Sequence, residues 1–74
     1  MKELIAEKRQ KVAEIIQRKR VQKGWTQEEL AEKVGFARNT IARIENNRFS
    51  PNADQLYLIL LVLDAELKID KEKI

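Results

Sequence analysis

The residues best equipped for chemistry in this chain are Arg38, Asn39, Thr40 and Arg43. All four side chains form hydrogen bonds and none is acidic. Arginine pairs bidentately with O6 and N7 of guanine, and asparagine with N6 and N7 of adenine. Catalytic alternatives have little to work with. The chain contains no histidine and no cysteine, which removes the usual zinc ligand sets and the Ser/His and Cys/His nucleophile pairs. Carboxylates remain, but no Gly-rich loop or paired-carboxylate setting surrounds them. No enzyme activity, metal or cofactor is therefore expected.

These four residues must be held outward by a helix. The pattern predicts one from about Arg38 to Asn46, with Ile41 and Ile44 at i, i+3 turned inward. Before it, Thr26-Gln27-Glu28-Glu29 is a capping box that starts another helix, whose inner face is Leu30, Ala31 and Val34. Gly35 ends that helix at a positive φ. The small Ala31 lets the two helices cross closely. A long first helix is predicted over Lys2 to Lys23, with Val12, Ile15 and Ile16 as its stripe, Leu4 and Ile5 further up, and Gly24 as its cap. Asn46 to Asn52 is a polar loop. A fourth helix runs from Ala53 or Asp54 to Leu63. Beyond it, Ala65 to Asp70 alternates apolar and polar, the period of a strand.

The run Gln27-Glu28-Glu29-Leu30-Ala31-Glu32-Lys33-Val34-Gly35, followed by Thr40-Ile41-Ala42-Arg43-Ile44-Glu45-Asn46, resembles the phage-repressor-type (Cro/repressor, xenobiotic-response-element) helix-turn-helix family. The resemblance covers roughly residues 12–64. It implies an all-α, four-helix, lambda-repressor-like domain with the helix-turn-helix at about 27–45, binding double-stranded DNA. By this resemblance Arg38, Asn39 and Arg43 read base edges in the major groove. Gln27 contacts a phosphate and braces the recognition helix, and Thr40 touches a phosphate or a thymine methyl. Asn46, Asn47 and Arg48 match a loop that grips phosphates, although Asn47 and Arg48 also fit an ordinary polar turn. Arg20 and Glu45 match a structural ion pair. Lys19 and Lys23 read more simply as solvated charges. The chain departs from the family pattern in four places. Ala37 stands where an N-cap Ser or Thr is usual, forfeiting about 1 kcal/mol. Phe36 exceeds the usual Val or Ile, Asp64 replaces a frequent Gly, and no fifth helix is visible.

Charge is uneven along the chain. Net charge is +3 overall, with residues 1–50 at +5 and residues 51–74 at −2. The first part suits a polyanion, although a solvated surface fits the charge equally well. A chain of 74 residues is expected to form a single domain over 1–74. A domain of that size buries only about 60% of its unfolded surface, so further stability is expected from a homodimer. The fourth helix is apolar nearly all round, and Tyr57, Leu58, Leu61 and Val62 lie off its inner face; a patch of this kind marks an interface. Leu67 and Ile69 in the tail, residues 65–74, would extend the interface by pairing a short C-terminal β-strand with its copy across a two-fold axis.

The longest apolar run, Leu56 to Leu63, is eight residues, against the about 20 needed to span a bilayer. Met1 to Lys11 lacks the apolar core of a signal peptide. A cytoplasmic protein with no membrane partner is expected. The function expected is a homodimeric transcriptional regulator, by default a repressor, reading an inverted-repeat operator. The rival is an antitoxin-type module that neutralises a toxin protein and regulates its own operon; a C-terminal strand in place of a fifth helix is similar to some antitoxins.

Overall fold

The computed structural model describes residues 1–74. It contains α1 (Lys2–Gln22), α2 (Gln27–Val34), α3 (Arg38–Glu45) and α4 (Ala53–Val62), followed by two-residue strands β1 (Lys68–Ile69) and β2 (Glu72–Lys73). The architecture is the expected all-α, four-helix one. No helix is long and apolar enough to cross a membrane.

Each helix end has an identifiable cause. Thr26 Oγ1 accepts from the Glu29 backbone N–H at 3.1 Å, and Glu29 Oε1 accepts from the Thr26 N–H at 3.0 Å, completing the box at the start of α2. Asn52 and Gln55 build the same device at the start of α4. Gly35 closes α2 at φ 79°, and Gly24 follows α1 at φ 77°. A Cβ at Gly35 would meet open space, so the demand there is torsional and not steric. Ala37 caps α3 with no side-chain hydrogen bond.

The core is small and draws on all four helices. Ile16 comes from α1, Leu30, Ala31 and Val34 from α2, Ile41 and Ile44 from α3, with Ile59 and Leu63 from α4 and its end. Trp25, Phe36 and Phe49 pack against this cluster from the connections. Phe36 thus plugs the turn between α2 and α3, and its N–H donates to the Ala31 carbonyl at 2.9 Å.

The tail differs from the expected single strand over residues 65–70. Within it only Lys68–Ile69 forms a strand, which pairs antiparallel with Glu72–Lys73 of the same chain, Lys68 opposite Lys73 and Ile69 opposite Glu72. Asp70 takes φ 59° and reverses the chain; aspartate tolerates that left-handed conformation better than most residues. Ala65 packs on the core instead of joining a ladder. Asp64 holds φ 55°, the conformation of the glycine it replaces, and its carboxylate accepts from Lys23 Nζ at 2.6 Å. Lys23 is therefore tied down and not simply solvated.

The Glu29 carboxyl is held below its ordinary range, chiefly by the Thr26 backbone N–H and then by the Thr26 side chain. A lowered folded value means that this cap's stabilisation is complete above the unfolded value, about 4.3, and fades as pH falls through the folded one. Glu29→Gln keeps a box-forming side chain without the titration. Denaturant unfolding should therefore show a smaller loss of stability for Glu29→Gln than for the parent between about pH 5 and pH 3. Equal losses would separate the cap from the ionisation.

Candidate nucleic-acid interface

The helix-turn-helix face is set by a buried ionic cluster. The Glu45 side chain, at the end of α3, is 1% exposed, and that of Arg20 on α1 is 11% exposed. Arg20 Nε donates to Glu45 Oε2 at 2.7 Å and Nη2 to Oε1 at 3.0 Å, while Nη1 donates to the Trp25 carbonyl at 2.6 Å. Gln27 Nε2, at the first residue of α2, adds a bond to Glu45 Oε1 at 3.2 Å. The Glu45 bond raises the Arg20 pKa further, against the opposing effect of burial. Arginine's fork is required here, since an ammonium cannot make these three bonds in one plane. The cluster ties α1, α2 and α3 together at one point.

The opposite side of α3 is open. Arg38, Asn39 and Arg43 are exposed and Thr40 is half-buried. Neither Arg38, Arg43 nor Arg48 takes part in an ion pair. The Arg43 guanidinium lies 5.6 Å from the centroid of the Phe49 ring, a cation–π contact that steadies a long side chain. The loop after α3 is fastened to it: the N–H groups of Arg48 and Phe49 both donate to the Arg43 carbonyl, at 2.8 and 3.2 Å. Asn46 caps α3, and Asn47 takes φ 58°. Arg38, Asn39 and Arg43 on α3, and Asn46, Asn47 and Arg48 after it, are all exposed.

Two features escaped sequence reasoning. Asn47 Nδ2 donates to Gln10 Oε1 on α1 at 3.0 Å, a pairing 37 positions apart that no local pattern announces. Lys33 Nζ stands 4.7 Å from the Trp25 ring centroid and Lys23 Nζ 5.7 Å. The Asn52–Gln55 box also went unread, although its N-x-x-Q spacing carries the signal.

The helix-turn-helix family model matches residues 16–69. The chain belongs to that family. An uncharacterized HTH-type transcriptional regulator of Methanothermobacter thermautotrophicus is 42% identical over 52 residues, 70% of this chain and 75% of that one. Antitoxin HipB of Escherichia coli is 38% identical over 50 residues, and the match spans 57% of its length. Among solved structures, a mutant of the restriction-modification controller protein C.Esp1396I superposes with a TM-score of 0.73 at 37% identity, covering 77% of this chain and 72% of that one. A chain of the HipA-HipB-O2-O3 complex gives 0.72 at 33%, covering 82% and 86%. The matched segment contains the whole ionic cluster and all of α2, α3 and α4. The match begins at residue 16, within α1.

The apolar residues expected at a dimer interface divide into three groups. Tyr57, Leu61 and Leu67 line one groove of about 560 Å³ with Leu60 and Ile74. Leu58 and Ile69 are exposed outside it. Val62 is partly buried against the core.

Replacing Arg20 by Ala leaves the Glu45 carboxylate buried without its cation and should cost about 3–5 kcal/mol. That is a large part of the about 4–11 kcal/mol a chain this long commands. Combining Arg20→Met with Glu45→Leu should recover most of the loss in urea titrations. If single and double variants are equally destabilised, the ion pair is not what the neighbouring helices lean on.

Proposed function

We propose that this helix-turn-helix regulator binds duplex DNA as a homodimer and reads an inverted repeat with Arg38, Asn39 and Arg43 in the major groove. The observation that carries this reading is the uncommitted, acid-free outer face of α3, held by the Arg20–Glu45–Gln27 cluster behind it. Base contacts give preference, and phosphate contacts give salt-sensitive affinity. Asn46, Asn47 and Arg48 would contact phosphates, a reading supported by the bonds that fasten their loop to the Arg43 carbonyl. Gln27 and Thr40 supply further polar groups at the two helix starts. Gln27 gives one of its two side-chain N–H groups to Glu45, which leaves the other and the backbone N–H at the start of α2 for a phosphate.

The dimer forms through the α4 and tail groove, where Tyr57, Leu61 and Leu67 lie in a largely apolar lining. The hairpin closes the tail within one chain, so side chains from α4 carry the association and the strands contribute at most an outer edge. Two recognition helices related by a two-fold axis would stand about 34 Å apart, one turn of B-form DNA. Acting on DNA as a repressor by default, the protein works in the cytoplasm, as one domain and without chemistry of its own. A second reading has support in the HipB likeness, at 38% identity: the same apolar surfaces engage a toxin protein while the recognition helix regulates the operon.

Selection from random duplexes followed by fluorescence titration tests the readout. Arg38→Ala with Asn39→Ala should abolish preference between selected and random duplexes, at about 1–3 kcal/mol per bidentate contact. Arg48→Ala should weaken both classes alike and lower the salt slope by about one. Undiminished preference in the first variant would move the reading elsewhere. Leu61, 74% exposed, tests the dimer: Leu61→Asp should leave the helical content intact and shift sedimentation toward monomer. An unshifted dimer would place the interface off α4.

A further inference from the structure

The first three turns of α1 carry a surface that DNA recognition does not use. Residues 1–11 are all exposed, and the family match begins only at residue 16. Their one side-chain tie to the rest of the fold is the bond from Asn47 to Gln10. A helix segment shorter than about 12–15 residues is marginal in water without packing. Yet this one holds Leu4 and Ile5 out at 56% and 51% exposure.

Those two residues form one wall of a groove of about 380 Å³. Val12 continues that wall, and Phe49, Pro51 and Leu56 from the α3–α4 connection and α4 form the other. The volume is within the range of about 300–1,000 Å³ typical of ligand sites. Lys8 and Arg9 are the charged residues that line it, and no carboxylate does. Glu7 and Glu14 lie round the helix, beside Gln10 and Lys11. Arg38, Asn39, Arg43 and Arg48 take no part in the groove.

An apolar floor under a purely cationic rim selects for an occupant of matching chemistry. We propose that this groove docks a segment of a partner protein that is apolar on one side and carries Asp or Glu at its flanks. Two or three apolar side chains would cover Leu4, Ile5 and Leu56. The flanking carboxylates would meet Lys8 and Arg9, steering the approach and fixing the direction of the segment. Contact with Phe49 and Asn47 places the bound partner directly against the loop that follows the recognition helix. The partner would thereby be brought to DNA without displacing any base-reading residue.

Selection of short peptides from a random displayed library against the full-length chain tests this. Enriched peptides should combine apolar residues with Asp or Glu, and labelled copies should bind saturably by fluorescence polarisation. Lys8→Gln with Arg9→Gln, and separately Leu4→Ser with Ile5→Ser, should each weaken that binding by about tenfold or more. Both variants should keep the parent's circular dichroism and its preference between duplexes. Absence of enrichment, enrichment of basic peptides, or binding that ignores both variants would overturn the proposal. So would sedimentation showing that the Leu4 and Ile5 variant loses a dimer the parent forms, since a second copy would then fill the groove.

Discussion

A buried carboxylate cannot be left alone, and much of this fold follows from how Glu45 is satisfied. Its side chain is almost wholly removed from water, where an isolated charge would cost several kcal/mol. Three bonds answer it, two from Arg20 on α1 and one from Gln27 at the start of α2. None of these tolerates much displacement. The last turn of α3, the start of α2 and the last turn of α1 are consequently fixed to one another by directional bonds, not by apolar contact alone. Hydrophobic packing could accept several crossing angles; a planar fork on a carboxylate accepts very few.

That rigidity matters because the core is thin. Eight residues form its buried apolar cluster, and α3 begins without a side-chain cap. The missing cap is tolerated because α3 is clamped at its other end by Glu45 and along its length by Ile41 and Ile44, both essentially fully buried. What results is a short, stiff helix whose outer side chains are free while its backbone is not. The base-reading role proposed for this surface needs that combination, since each misplaced donor loses its bond geometry.

How far the sequence disclosed this depends on the range of the interaction. The Thr26 box, the glycine stops and the i, i+3 pair Ile41 and Ile44 are local, and their residues name the conformation directly. The outward set on α3 follows once the inward pair is known. The Asn52–Gln55 box was equally local. Longer-range matters were not legible in the same way. The Arg20–Glu45 pair entered through family resemblance, because nothing in either segment alone says the other will be near. The Asn47–Gln10 bond crosses between α1 and a loop and left no trace in pattern or composition. The tail misled for a physical reason: Ala65, Leu67 and Ile69 alternate as a strand should, but Asp70 adopts a left-handed turn that folds the strand onto its own chain.

The distribution of exposed apolar surface completes the logic. A small domain that cannot bury all its leucines must place the remainder somewhere. Here several exposed apolar residues, Leu4, Ile5, Tyr57, Leu61 and Ile74, fall into two grooves, one beside α4 and the tail and one under the start of α1. Neither is lined by Arg38, Asn39, Arg43 or Arg48. Occupation of either groove would stabilise the folded state as a whole by mass action. The proposed apolar association and polar readout can then be combined in 74 residues because they would use different side chains on a shared, stiffly braced frame.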